Sequence, residues 1–147
     1  MSAIPSRCVV DASVGIKLFV AEPLSEQAHW LFDGLAADPP AVFHVPNLFF
    51  IECANILWKY FRRFGRSLED CQADLVDLGN LALRAVSTAE LMEDALTLAA
   101  QTGLSAYDAC YAALARRLDL PLVTADDALF KAISWAIWLG DLDLRQG

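Results

Sequence analysis

The sequence predicts an α/β fold built on a mostly parallel sheet of about five short strands. Three observations predict it. Brief β-branched or apolar runs recur along the chain, longer stretches of helical periodicity separate them, and many of those stretches open on a capping residue. With 147 residues, 56% of them hydrophobic and 20% charged, the chain can bury one sizeable core. A single domain over residues 1–147 is expected. The apolar surplus points to a second subunit or another protein partner.

The first strand is expected at Cys8–Val10 and runs straight into Asp11. Ser25 then stands before a helix over Glu26–Ala37, which Asp38-Pro39-Pro40 ends. Val42–Val45 is the second strand, and Asn47, after Pro46, caps the helix that contains Glu52. Phe64-Gly65-Arg66 breaks the chain before Ser67 caps Leu68–Leu78. The third strand, Ala82–Val86, leads to Ser87, which has capping-box spacing to Glu90. Ser105 and Asp108 show the same spacing, and Ala109, Ala112, Ala113 and Ala115 make the following helix thin enough to lie close to the sheet. Leu122–Thr124 and Ala136–Trp138 complete the strands. Between them Thr124 and Asp127 again have capping-box spacing, which gives Asp127 a helix-start role, with an outer place beside a metal ion as its alternative. No internal repeat or long linker interrupts this order.

A formal charge of −8 argues against a protein that coats nucleic acid electrostatically, because phosphate binding recruits Lys and Arg. Carboxylates gathered around cations inflate that count, so a nuclease stays open. The segment Met1–Arg7 fits neither a signal peptide nor a membrane span, and the apolar stretch Val45–Phe64 is interrupted by Asn47, Glu52, Asn55, Lys59, Arg62 and Arg63. A cytoplasmic protein with no membrane contact is expected. Cys8, Cys53, Cys71 and Cys110 form no Cys-x-x-Cys pair and sit in apolar contexts, as buried thiols do. His29 and His44 lack ligand spacing, and no Gly-x-x-x-x-Gly-Lys stretch exists for a nucleotide hydrolase.

Asp11 and Asp126 follow the first and fourth strands, and ligand sites of open parallel sheets form outside the carboxyl ends of strands. Ser13 and Thr124, each two residues from one of these acids, offer hydroxyls to orient them. Glu52 begins a helical stripe that continues through Asn55 and Lys59 to Arg62 or Arg63, and Asp108 rides the thin helix toward the strand ends. Clustered carboxylates repel one another unless a cation neutralises them. An all-oxygen set suits Mg²⁺ or Mn²⁺, which could activate water for phosphodiester hydrolysis without a side-chain nucleophile.

The segments Val9-Val10-Asp11-Ala12-Ser13, Tyr107-Asp108-Ala109-Cys110-Tyr111-Ala112-Ala113-Leu114-Ala115 and Leu122-Val123-Thr124-Ala125-Asp126, with a mid-chain Glu52, resemble the PIN-domain family, especially VapC-like toxins. The likeness spans nearly the whole chain. It implies a three-layer α/β/α domain and a Mg²⁺- or Mn²⁺-dependent endoribonuclease, neutralised by a small antitoxin and usually homodimeric. It also implies that Asp11, Glu52, Asp108 and Asp126 bind the metal, with Ser13 and Thr124 in support. Lys59, Arg62, Arg63 and Arg66, with Arg116, Arg117 and Lys131, are the cations available to RNA phosphates. The apolar helix residues Phe49, Phe50, Ile56, Leu57, Trp58, Tyr60 and Phe61 exceed what one core face needs, so some are expected to meet an antitoxin helix or a second subunit. An antitoxin could also inhibit by placing an Arg or Lys in the acidic pocket. Two other readings compete: a haloacid-dehalogenase-like phosphatase, which wants a second Asp where Ser13 stands, and a non-catalytic interaction module.

Overall fold

The structure, a computed structural model, describes residues 2–143. Five strands, β1 (Arg7–Val10), β2 (Val42–Pro46), β3 (Arg84–Val86), β4 (Leu122–Thr124) and β5 (Ala136–Trp138), pair in parallel in the order β3-β2-β1-β4-β5. Val9 lies opposite His44 on one side and Leu122 on the other. All five expected strands are present, with ends shifted by no more than two residues.

Helices α1 (Ala12–Gly15), α2 (Ser25–Asp33), α3 (Leu48–Phe64) and α4 (Leu68–Gly79) lie in the connections β1 to β2 to β3, and α5 (Met92–Thr102), α6 (Ala106–Leu118) and α7 (Asp127–Ala132) in those from β3 to β4 to β5. The first set steps outward from β1 in one direction and the second in the other, so right-handed crossovers put them on opposite faces. With both faces covered, central strands read as continuous apolar runs: Cys8, Val9, Val10, Leu122 and Val123 are fully buried. α6 packs on β1, β2 and β4, and its Ala109, Ala112, Ala113 and Ala115 are buried as the thin-helix pattern implied. All four cysteines are free and buried.

The capping residues divide. Ser67 and Ser105 accept hydrogen bonds from the amides of Asp70 and Asp108. Ser25 does not cap: the chain turns through Leu24 at φ 71°, Ser25 is already helical, and α2 ends at Asp33 before a short 3-10 turn over Gly34–Ala36. The Asn47 side chain makes no cap bond: its backbone is helical, at φ −56° and ψ −28°, rather than extended as a capping residue's is, and the Thr88 hydroxyl accepts from the Leu48 amide. Ser87 also makes none, and Thr88–Leu91 forms a 3-10 turn ahead of α5. The expected Thr124–Asp127 box is absent too. Asp126 is the cap of α7, accepting from the Leu129 amide at 2.9 Å.

Candidate active site

Strand order reverses between β1 and β4, and a crevice opens where connections leave adjacent strand ends in opposite directions. Asp11 ends β1 and Asp126 follows β4, so the two acids stand on either side of that crevice. Glu52, one turn into α3, and Asp108, in the first turn of α6, reach it from two further elements. The resulting cleft of about 510 Å³ is lined by all four acids together with Ser13, Asn55, Lys59, Tyr107 and Tyr111.

Asp11 is the most enclosed of the acids, only 4% exposed. Ser13 Oγ donates to its Oδ1 at 2.6 Å and the Val14 amide to the same oxygen at 3.3 Å, while Thr124 Oγ1 donates to Oδ2 at 2.6 Å. These hydroxyls are themselves held: Ser13 Oγ accepts from the Ala125 amide and Thr124 Oγ1 from the Asp126 amide, both at 3.0 Å. The β1 and β4 ends are thus stitched through the Asp11 carboxylate. Thr124, facing Asp11, is unavailable as the expected cap.

Glu52 accepts from the Tyr111 hydroxyl at 2.5 Å, a contact that ties α3 to α6 across the cleft. The sequence pattern alone gives Tyr111 no part in the site. Its place one helical turn after Asp108 was the available signal, since residues three apart share a face. Asp108 and Asp126 lie close enough to repel, as do Glu52 and Asp108. Asp127 is exposed and pairs with Lys131 at 2.7 Å across one turn of α7.

Burial dominates the protonation of the site. It pushes Asp11 up to about 6 against the three hydrogen bonds that favour its charge, with the Asp126 charge adding to the rise. Burial also raises Glu52 and Asp108; Tyr111 opposes the first shift and Ser105 the second. Such a cluster attracts a cation. Its donors are all oxygens, which fits a hard divalent ion rather than zinc. Among the described residues no three acids, histidines or cysteines converge tightly enough to hold an ion unaided.

The basic tip is less uniform than its sequence. Arg66 donates twice to Asp74, at 2.9 and 2.6 Å, and Arg62 lies over the Trp58 ring. Lys59 lines the acidic cleft itself. Arg116 lies over Trp135, and Arg117 pairs with Asp94 at 3.7 Å. Of the apolar residues on α3, Phe49 and Leu57 are core, whereas Ile51, Trp58 and Phe61 are exposed. His29 is exposed, and His44 lies in the sheet away from the cleft.

The sequence profile described as PIN domain matches residues 8–136. A relative named Ribonuclease VapC3, from Pyrobaculum aerophilum, is 37% identical over 125 residues, covering 84% of this chain and 92% of its own. Among solved structures, PAE2754 from Pyrobaculum aerophilum superposes with a TM-score of 0.70 at 28% identity, over 91% of this chain and 84% of that one. A chain of a toxin-antitoxin complex from Klebsiella pneumoniae does so at 0.62 and 18% identity, over 88% and 95%.

Proposed function

This chain belongs to the PIN-domain family, and from that premise we propose that the acid-lined cleft is the active centre of an endoribonuclease that hydrolyses RNA phosphodiester bonds as the toxin of a toxin-antitoxin pair. One observation carries the assignment of the site: the fold brings Asp11, Glu52, Asp108 and Asp126, from four separate elements, to one cleft at the sheet's switch point.

Asp11, Glu52, Asp108 and Asp126, which line the cleft together, are the acids that would hold Mg²⁺ or Mn²⁺. When bound, the ion supplies positive charge that activates water and offsets the charge growing on the phosphate. The protein's own contribution is positioning. Ser13, Val14 and Thr124 hold Asp11 in one orientation, the Leu129 amide holds Asp126, and the Tyr111 hydroxyl holds Glu52. Fixed donors of this kind remove the reorganisation that a mobile carboxylate would need. Lys59, at the rim, meets the charge of an incoming phosphate.

A small antitoxin protein is the proposed partner and a homodimer the proposed assembly, each supported by the exposed Ile51, Trp58 and Phe61 on α3. No helix among the described residues is long and apolar enough to cross a membrane, and we place the protein in the cytoplasm as one domain. RNA cleavage with added Mg²⁺ or Mn²⁺, for wild type and Asp11→Asn, tests the reading. Metal-dependent cleavage by the wild type and a loss of at least roughly a hundredfold in the variant are expected. A phosphoaspartate adduct without RNA cleavage would instead favour the phosphatase, and no metal-dependent difference would leave a non-catalytic module.

A further inference from the structure

The acidic cleft does not end at Lys59. A second groove, of about 450 Å³, begins there and shares Ser13, Ile56 and Lys59 with it before continuing along Tyr60, Arg63 and Phe64. Glu52, Ile56, Lys59, Tyr60, Arg63 and Phe64 recur at helical spacing, so one face of α3 runs from the carboxylates into this groove. Along the axis Lys59 lies about 10 Å and Arg63 about 16 Å beyond Glu52, a span of a few nucleotides.

The charges in this second groove reverse sign relative to the cleft. Its only acid, Glu22, is neutralised by Lys17 at 3.0 Å and accepts from the Tyr60 hydroxyl, which leaves Lys59 and Arg63 as net positive charge. Neither has an ion-pair partner among the described residues, whereas Arg66, Arg117 and Lys131 are bound to carboxylates and Arg62 and Arg116 lie on tryptophan rings. Arg7 and Arg84 start their strands, at the sheet end away from the cleft. Phe64 is 72% exposed and leans on Tyr60 with ring centroids 5.2 Å apart, an open aromatic face beside two free cations.

We infer that single-stranded RNA leaves the acidic cleft over Lys59 and enters this second groove, where Lys59 and Arg63 hold backbone phosphates and Phe64 stacks on a base. The inference rests on the ribonuclease reading of the cleft and names how its substrate is gripped. Four carboxylates repel a polyanion, so the grip comes from charge outside them, and in this groove unpaired charge meets an exposed ring. Cation and aromatic together form the sequence-tolerant platform used for single strands. A duplex would not present a free base face to Phe64.

The test is binding of a short fluorescent single-stranded RNA to Asp11→Asn protein, across a salt series, with cleavage kinetics of the same changes in the wild-type background. Lys59→Ala with Arg63→Ala is expected to lower the slope of log affinity against log salt by about 1.4, from two contacts at about 0.7 each. Phe64→Ala is expected to weaken binding roughly tenfold, and Phe64→Trp to keep it. In cleavage, Phe64→Ala and Arg63→Ala should raise KM and leave kcat within about threefold. An unchanged salt slope, or equal binding by Phe64→Ala and Phe64→Trp, overturns the inference and leaves a protein segment as the groove's occupant. The two readings fail separately: groove-dependent binding without metal-dependent cleavage sinks the enzyme, and metal-dependent cleavage indifferent to the groove sinks only the groove.

Discussion

Asp126 and Asp127 are adjacent acids with different surroundings, and the difference decides what each substitution does. Asp126 caps α7 and lines the cleft, whereas Asp127 points outward to Lys131, with both partners of that pair more than half exposed. Asn is as good a cap as Asp, so Asp126→Asn is expected to keep stability and lose cleavage, while Asp126→Ala also loses about 1 kcal/mol. Asp127→Asn is expected to change stability by no more than about 0.5 kcal/mol and to leave cleavage intact. Thermal melts and RNA cleavage on the three variants check this; a cleavage loss in Asp127→Asn equal to that in Asp126→Asn would show the division to be wrong. At this scale Asp11, Asp108 and Asp126 were legible from strand ends and helix starts. For Tyr111 the spacing from Asp108 marks only the face it shares; its role is not legible, because its partner Glu52 is 59 residues away.

Elements were legible where their signals are local and misread where a distant residue supplies the partner. Ser67 and Ser105 cap as expected because the acceptor and donor are three residues apart. Asn47 does not, because its own backbone is already helical, at φ −56° and ψ −28°, and at this helix start it is Thr88, 40 positions on, that accepts from the Leu48 amide. The placement of α3 also depends on a distant contact. A Cβ added at Gly15, in α1, would lie 2.6 Å from Cζ of the fully buried Phe49, in the first turn of α3. Glu52 follows Phe49 by three residues, so whatever moves that turn moves the acid. Gly15→Ala is expected to destabilise by about 1–3 kcal/mol through overpacking and to lower kcat without a matching rise in KM. Adding Phe49→Leu should return part of both losses. Denaturant unfolding and steady-state cleavage decide it: an unperturbed Gly15→Ala would mean that α1 and α3 accommodate the methyl group without displacing Glu52.

At the scale of the molecule, alternation of strand and helix made the α/β class legible, while the order β3-β2-β1-β4-β5 was not, since pairing between strands more than a hundred residues apart leaves no mark on either. That order creates the site and also a stability cost. Asp11 titrates near 6 in the fold but near 3.8 in the unfolded chain, so between those values the folded state holds more protons. Stability therefore falls as pH rises from about 4 to about 6, by about 3 kcal/mol for Asp11 alone, and the raised Glu52 and Asp108 act in the same direction. Above about 7, once folded Asp11 is fully ionised, its penalty is complete and constant. An ion that binds the charged cluster only in the fold offsets it by mass action. Metal-free protein should thus melt higher at pH 5 than at pH 7 so far as these acids are concerned, and Mg²⁺ or Mn²⁺ should raise the melting temperature more at pH 7 than at pH 5. Asp11→Asn, which keeps the shape and removes the buried charge, should flatten the pH dependence and melt at least as high as the chelator-treated wild type at pH 7. Melting curves across pH with chelator and with added ion test the whole chain of argument: an ion response that is equal at both pH values would mean that the cluster is not where the ion binds.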